Sequence, residues 1–439
     1  MKRILFLLFS LLIASDQIPA PRQDHPILIQ GGTIHTVSGR NLPQTDILFE
    51  NGIITRIEKH IQPEPDMAVI DATDRHIYPG LIASVSTMGL VEVGAVRATA
   101  DYNEVGSVTP EVRANVSYNP DSEIIPVTRS NGVLFANVMP KGGRIPGQSS
   151  LMMLDGWTWE EATFNHPTAL HIVWPGMWLN LNPNAKKSVP EQEKAIREAL
   201  TELDRLFDKV IQYKKIQDHP PRARNVNWQQ DIRLETMIPY VLGEKRIFIH
   251  ANDLRQIESA VNWALKRNID IAIVGGADAW RVADLLKQHQ IPVIIEGILR
   301  VPYRRFEDYD AAYALPRKLF EKGVPYCIST AGNPFQAPHG RDLPNHAAMA
   351  AAFGLPPQEA LRAITLYPAR ILGVADRIGS LEVGKEASLF IATGDILEIT
   401  TTVEQDFIQG RKIDMNDKHK MLYRKYQEKY KQLGILGDN

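Results

Sequence analysis

The chain is poor in cysteine: Cys327 is the single one in 439 residues, which excludes an intrachain disulfide and a cysteine metal cluster. It lies in the apolar run 324–328, which favours a buried core residue over a nucleophile. The chain also lacks a charge excess, since its formal net charge is -2. We therefore expect no nucleic-acid partner and no overall attraction to an anionic membrane. The basic run 418–431 alternates with acids and aromatics, which is typical of a solvated helix face.

Long hydrophobic runs are missing too. The apolar stretch 4–14 is shorter than a membrane-spanning helix and follows the basic start Met1-Lys2-Arg3. Residues 1–15 are therefore predicted to be a cleaved signal peptide, with the mature chain starting between Asp16 and Pro21. An uncleaved anchor helix is the alternative. The prediction implies a secreted or periplasmic protein.

Both ends of the chain are rich in strand patterns. The runs 46–50 and 53–57 flank Asn51-Gly52, which indicates a β-hairpin. The runs 387–391 and 401–408 have the same character near the other end. We predict a small composite β-sandwich domain formed by residues 24–78 together with 377–413.

The middle of the chain alternates between strands and helices. Apolar strands are predicted over 245–250, 269–274, 291–296 and 325–329, with helices between them over 253–266, 278–290 and 309–321. This alternation favours βα units and a parallel sheet. The predicted fold class is therefore α/β, with a (β/α)8 TIM-type barrel over residues 79–376. Helices are also predicted over 189–213 and within the C-terminal segment 414–439.

Several motifs occur in a fixed order along the chain: Gly31-Gly32-Thr33-Ile34, Asn51-Gly52-Ile53-Ile54, the segment 78–82 (Tyr-Pro-Gly-Leu-Ile), the helix 356–365, and the segments 368–373 and 378–385. In this order they resemble the metal-dependent amidohydrolase superfamily, most closely its imidazolonepropionase-like branch. The resemblance covers nearly all of the chain after the predicted signal peptide. It implies a hydrolase acting on carbon–nitrogen bonds other than peptide bonds, with a metal-bound water as nucleophile.

The resemblance also implies where metal ligands would lie. Such enzymes carry a His pair on strand 1, often a bridging carboxylated Lys, a His on each of strands 5 and 6, and an Asp on strand 8. The corresponding residues of this chain are Val85, Thr87, Met153, His250, Gly275 and Thr330. A catalytic zinc normally needs three protein ligands, and His250 alone does not supply them. We therefore expect a degenerate site with no metal and no cofactor.

Polar residues left at the expected barrel mouth are candidates for ligand binding: His250, Asn103, Glu104, Thr330 and Asn333. His250 has two interpretations, a hydrogen-bonded inherited histidine or a general base, and it is the best catalytic candidate. His166 and His171 lie near the predicted strand 4 and could rebuild a metal site with His250, although their spacing gives this no support.

Other polar residues are interpreted structurally. Glu296 ends a predicted strand and is expected to pair with Arg300, Arg304 or Arg305. His339 and His346 follow strand 8 and are expected at the surface. Val85, Thr87, Met153, Gly275 and Thr330 are expected to surround His250 in a vacated, mostly neutral cavity.

The function predicted from these residues is that of a metal-free, catalytically degenerate homologue. It would act as a binding or partner subunit. We expect a small-molecule ligand at the barrel mouth and assembly into a homo- or hetero-oligomer with an active relative. The alternative is an active hydrolase of amide or cyclic amide bonds, using a rebuilt zinc site or His250.

Overall fold

A computed structural model describes residues 17–219 and 229–436, so the predicted signal peptide (1–15) lies outside the described residues. The first five strands belong to one sheet: β1 Ile27–Ile34, β2 Leu42–Glu50, β3 Ile53–Glu58, β4 Ala68–Asp71 and β5 His76–Pro79. The predicted hairpin is confirmed, because β2 and β3 pair antiparallel. Asn51 and Gly52 form its turn at φ of 51° and 79°, values that favour Asn and Gly.

The next eight strands form the second sheet: β6 Leu81–Ser86, β7 Val133–Val138, β8 Gly147–Met153, β9 Thr163–Val173, β10 Ile247–Ala251, β11 Ile271–Gly275, β12 Val293–Glu296 and β13 Tyr326–Ser329. They neighbour one another in sequence order from β13 to β6. Hydrogen bonds between the Ser329 hydroxyl and the backbone of Val85 connect the two end strands. The sheet is therefore a nearly closed TIM-type barrel.

One barrel strand runs against the others. β8 pairs antiparallel with both β7 and β9, whereas the remaining neighbours are parallel. The connection from β7 to β8 spans only residues 139–146, too short for the crossover that parallel neighbours need. The prediction of eight repeated βα units is therefore wrong for this part of the barrel, although the barrel itself is present.

The helices lie mainly after β9: α1 Ile124–Arg129, α2 Trp159–Ala162, α3 Val189–Asp218, α4 Ile232–Val241, α5 Leu254–Arg267, α6 Ala283–Gln288, α7 Leu315–Lys322, α8 Leu343–Ala352, α9 Pro357–Arg362, α10 Leu366–Ile371 and α11 Lys418–Gln432. Capping boxes start α3 at Ser188 and α5 at Asp253, and Asn268 in the left-handed region ends α5. No helix in the described parts of the chain is long and apolar enough to cross a membrane.

The chain then returns to the first sheet through β14 Leu389–Ala392, β15 Val403–Ile408 and β16 Arg411–Lys412. β14 pairs antiparallel with β5, so strands from both ends of the chain share one eight-stranded sheet. The strands predicted to form a sandwich are thus neighbours in a single sheet.

The barrel interior is filled by alternate residues of its strands. Phe248, Val274, Ile294 and Cys327 are fully buried in one apolar cluster. The Cys327 Sγ lies 3.2 Å from the Ser84 hydroxyl, and burial raises the pKa of the thiol to about 12. The interpretation of Cys327 as a core residue is confirmed, since a buried, protonated thiol is a poor nucleophile.

Candidate active site at the barrel mouth

The candidate site lies where the parallel barrel strands end, because their carboxyl ends meet on one face. His250, near the end of β10, forms its first feature. Its Nε2 lies 2.9 Å from Nδ1 of His171 on the neighbouring strand β9. His171 is fully buried, and its ring lies edge-on to Phe248. The two histidines therefore form a hydrogen-bonded pair whose deeper member is held by packing.

Both histidines are electrostatically biased toward the neutral form. Burial, and then the nearby charge of Lys141, lower the pKa of His171 to about 3. The same two causes, with His171 as a third, hold the pKa of His250 well below its usual value. At neutral pH the pair therefore offers one donor and one acceptor rather than a positive charge.

Lys141 supplies a positive charge at the mouth. It follows the end of β7, and its ammonium lies 4.0 Å from Oε1 of Glu296, the last residue of β12. Glu296 Oε1 also accepts the backbone N–H of Gly332 at 3.2 Å. The predicted pairing of Glu296 with an arginine is therefore wrong: Arg304 instead pairs with Asp278 and Glu307. Lys141 and Glu296 thus place one partly exposed charge of each sign at the strand ends.

An apolar contact fills the strand 1 side of the site. A Cβ built on Gly332 would lie 2.4 Å from Met139 Cε and 3.4 Å from Val85 Cβ. Met139 and Val85 are both fully buried. Met139, which follows β7, therefore packs beside Val85, and a side chain at position 332 would require the end of Met139 to shift.

The strand 6 position is filled in a similar way. Gly275 ends β11 at φ +99°, and a Cβ there would lie 2.5 Å from the Asn252 Oδ1. The Asn252 side chain therefore occupies the space that a larger residue 275 would need. At Gly275 the expected cavity is therefore replaced by its alternative, in which a neighbouring side chain fills the space.

Met153 does not join the site. β8 runs antiparallel to its neighbours, so Met153 pairs with Phe135 near the start of β7, at the opposite end of the barrel. It lines a cavity of about 740 Å³ together with Ala20 and Arg411. The assignment of Met153 to the barrel mouth is therefore wrong, and the reversed strand direction is the reason.

The remaining predicted site residues differ in how deeply they are buried. Thr87 and Thr330 are buried, and the Thr87 hydroxyl has no hydrogen-bond partner among the described residues. Asn103, Glu104 and Asn333 are exposed. Asn103 bridges to Lys141 through the backbone, which places the loop 101–104 beside the mouth.

The other histidines lie elsewhere. His166 is hydrogen-bonded to Ser150 at 2.7 Å and does not join the His171–His250 pair. His339 is exposed next to Asp342, as expected. His346 is buried and its Nδ1 accepts the Ile298 N–H, so its assignment to the surface is wrong. Burial lowers its pKa to about 4.

The family resemblance implies a metal, and the donor chemistry of the mouth does not fit one. In the described parts of the chain, no group of three His, Cys, Asp or Glu side chains is placed to hold a metal ion. The strand ends instead carry Val85, Thr87, Gly275 and Thr330, beside a histidine pair that is already hydrogen-bonded. Hydrocarbon and hydroxyl groups of this kind are poor zinc ligands.

Lys141 was not among the residues predicted from the sequence, and His171 was predicted only as part of a rebuilt metal site. Lys141 follows an apolar strand by three residues, which is a signal for a barrel-mouth position. His171 lies 79 positions from His250, so only the strand pairing brings them together.

Comparisons with known proteins agree with this architecture. Residues 312–412 match the amidohydrolase family model, and this span includes the motifs from 356 to 385. Amidohydrolase tasK of Hapsidospora irregularis is 22% identical over 388 residues, covering 83% of this chain and 39% of that protein. An imidazolonepropionase of Alkaliphilus metalliredigens is 28% identical over 186 residues, covering 37% of this chain and 44% of that protein. The chain thus spans less than half the length of these curated relatives.

A solved structure shares the fold over most of its length. The crystal structure of an amidohydrolase from Thermotoga maritima MSB8 superposes with a TM-score of 0.75 at 24% identity, covering 88% of this chain and 99% of that one. The family match, the curated relatives and the barrel lead to one conclusion: the chain belongs to the amidohydrolase superfamily.

Proposed function

We propose that this chain is a metal-independent member of its superfamily that binds a small polar ligand at the barrel mouth. The observation that carries the proposal is the filled strand 6 position, where Asn252 occupies the space beside Gly275. A discarded metal ligand would leave a hole or an uncompensated charge, and here the neutral amide of the exposed residue Asn252 lies in the space instead. The lack of a three-donor cluster among the described residues supports the same proposal.

The ligand is expected to be polar with no net charge. Lys141 and Glu296 carry opposite charges and are separated by 4.0 Å, so this pair contributes no net charge between the strand ends. The neutral His171–His250 pair adds the Nδ1 of His250 as a polar group, while the Nε2 of His171 is buried. Amides, ureas and zwitterions present matching groups, which places the ligand near the chemistry of amidohydrolase substrates without a bond being cleaved.

Two measurements test this proposal. Protein purified without chelators is expected to contain far less than stoichiometric zinc by mass spectrometry of the metals. A panel of amides and zwitterions is expected to raise the melting temperature of the wild type, and to do so less for Lys141→Met. Lys322→Met, an exposed control at the end of α7 and next to the start of β13, lies at the barrel end away from the mouth and is expected to behave like the wild type. Stoichiometric zinc whose removal abolishes a hydrolase activity would overturn the proposal.

A second candidate, metal-free hydrolysis through His250, is favoured by one observation. In the tautomer whose Nε2 donates to Nδ1 of His171, the Nδ1 of His250 remains a proton acceptor oriented by its partner. Its lowered pKa makes it a weak base near neutral pH, which ranks this candidate second. Hydrolysis of an amide that is lost in His250→Asn, at unchanged ligand affinity and in metal-free protein, would establish it.

The cellular setting is proposed from the sequence. We infer that residues 1–15 direct secretion, that the strands from both ends act as one small composite domain, and that the chain assembles with itself or an active relative. N-terminal sequencing and copurification test secretion and assembly. An intact residue 1 in membrane-bound protein, or a monomer that copurifies with nothing, would contradict them.

A further inference from the structure

Helix α11 leaves its apolar side chains in solvent. None of its residues is buried, and Tyr423, Tyr426 and Tyr430 are 68%, 49% and 43% exposed. Leu422, and Leu433 directly after the helix, are exposed as well. A helix whose apolar residues serve the core would bury them, so these side chains have another use.

These residues share one side of the helix. With 3.6 residues per turn, Leu422, Tyr423, Tyr426, Tyr430 and Leu433 fall within a stripe about 100° wide. We call this set the apolar stripe. Gly434 follows it, and Ile435 and Leu436 extend the exposed apolar surface.

Basic residues flank the apolar stripe on both sides. Projected on the same helix, Lys418, Lys425 and Lys429 lie on one side. On the other side lie Lys420, Arg424 and Lys431, of which only Arg424 is exposed, while the lone acid of the helix, Glu428, lies opposite the stripe. The helix is therefore strongly basic although the whole chain has a net charge of -2.

The attachment of α11 to the body turns the apolar stripe outward. Lys420, Gln427 and Lys431 are the partly buried residues of the helix, and the side they share, which faces the body, is centred about 110° from the apolar stripe. The Lys420 ammonium donates to the Ser130 hydroxyl and the Met415 carbonyl, while Asp417 caps the helix. This fixes the orientation in which the stripe faces solvent.

We propose that α11 docks on an anionic phospholipid bilayer, with the apolar stripe in the headgroup region and the flanking lysines and arginine on lipid phosphates. The charge pattern selects this occupant, because basic flanks on both sides of an apolar face match a flat anionic surface. Tyrosines suit the interface, since their rings are apolar and their hydroxyls remain hydrated. A second copy of α11 would instead bring two strongly basic helices together.

Vesicle flotation with the intact protein tests the proposal. At low salt the protein is expected to float with vesicles of phosphatidylcholine and phosphatidylglycerol at three to one, and to remain unbound with phosphatidylcholine alone. Lys425→Gln/Lys429→Gln is expected to weaken binding by about tenfold. Tyr423→Ser/Tyr426→Ser/Tyr430→Ser is expected to weaken it similarly while keeping the charge. All of these positions are exposed, so the variants should fold.

The matched control is Lys186→Gln/Lys187→Gln, which removes the same charge ahead of α3 and should bind like the wild type. Equal binding to both vesicle types would overturn the proposal, as would unchanged binding in both helix variants. A dimer in light scattering that dissociates in the tyrosine variant, without flotation of the wild type, would assign the stripe to self-association and also overturn it.

Discussion

Gly275 and Asn252 act as one unit at the residue scale. The glycine adopts a positive φ, and the amide occupies the volume beside it. Gly332 and Met139 form a similar pair next to Val85. At both places a neighbouring side chain lies where a Cβ on the glycine would be: Asn252 beside Gly275, and Met139 beside Gly332. A histidine at position 275 would therefore require Asn252 to move.

Gly275→Ala is predicted to destabilise the fold through this contact. The new Cβ would lie 2.5 Å from Asn252 Oδ1, and overpacking of this kind costs about 1–3 kcal/mol. Gly384→Ala is the matched control, since Gly384 has φ of 91° and nothing within 4 Å of a built Cβ. Denaturant unfolding of both variants separates crowding from backbone strain. Equal losses in the two variants would show that Asn252 yields freely.

Asp406 carries a second residue-scale prediction. It is fully buried in β15, and neither carboxylate oxygen has a hydrogen-bond partner among the described residues. Burial raises its pKa to about 8, against the weaker opposing effects of Arg129 and Lys420. The folded protein therefore holds a proton here that the unfolded chain releases above about pH 4.

This difference in proton binding sets the direction in which stability changes with pH. Between about pH 4 and pH 8 the folded state binds the additional proton, so stability falls as the pH rises. Asp406→Asn is predicted to flatten this dependence and to gain stability relative to the wild type at pH 8. Asp376→Asn, at an exposed position, serves as the control. The measurement is the unfolding midpoint at pH 5, 6.5 and 8, and parallel curves for wild type and Asp406→Asn would refute the assignment.

The sequence could identify His250 and the altered strand ends, because their motifs keep their frame. It could not identify Met139 as the side chain that packs beside Val85, since this depends on the pairing of β7 with β6. The reversed direction of β8 removed Met153 from the site. Glu296 was recognised as a strand-end residue, but its partner Lys141 comes from a strand 155 residues earlier, a distance that no local pattern spans.

At the element scale the strand predictions over 245–329 agree with β10 to β13 within about two residues, because short apolar runs between helices have few alternatives. The helix predicted over 309–321 begins only at Leu315, with Pro316 in its first turn. Proline is favoured at that position, so the proline marked the start more accurately than the periodicity did. No residue in β8 indicated the direction in which the strand runs, since every residue of that strand is buried.

An ion-pair network joins three elements at the barrel end away from the mouth. Asp155, just after β8, pairs with Arg129 of α1 at 3.0 Å and with Arg411 of β16 at 2.8 Å. It also accepts the backbone N–H of Ala20 at 3.1 Å. Asp155 and Arg129 are almost completely buried, so each depends on the other for compensation.

Arg129→Met is predicted to lower the free energy of unfolding by about 3–5 kcal/mol, because it leaves a buried carboxylate with one partner fewer. Denaturant unfolding measures this loss. Arg56→Met removes the exposed pair with Glu58 and should leave the midpoint within error. A loss in Arg129→Met no larger than in this control would show that the network contributes little to stability.

At the scale of the whole molecule, this network connects the two sheets. Asp155 belongs to the barrel, and Arg411 to the sheet that strands from both ends of the chain build. The Arg129 guanidinium also donates to the Asp414 carbonyl, at the start of the segment leading to α11. The ends of the chain and the barrel are therefore expected to unfold together, in one transition rather than two.

Buried and half-buried histidines give the whole molecule its predicted sensitivity to acid. Burial is the main cause that lowers the pKa of His35, His166 and His346 to about 4 and that of His171 to about 3. The unfolded chain binds protons at these groups below about pH 6.5, whereas the folded protein does not until the pH is much lower. Stability is therefore expected to fall as the pH drops from 6.5 toward 4, opposite in sign to the contribution of Asp406.

Each such histidine contributes a loss of at most about 1.4 kcal/mol per pH unit, reached in the middle of that window. His346→Asn tests this, because the Asn Oδ1 replaces the Nδ1 acceptor of the Ile298 N–H and the titrating group is removed. The variant is predicted to lose less stability than the wild type between pH 6.5 and pH 5, measured by denaturant unfolding. His419→Asn, at an exposed position of α11, should follow the wild type. If His346→Asn also follows the wild type, the buried histidines do not set the acid limit of this fold.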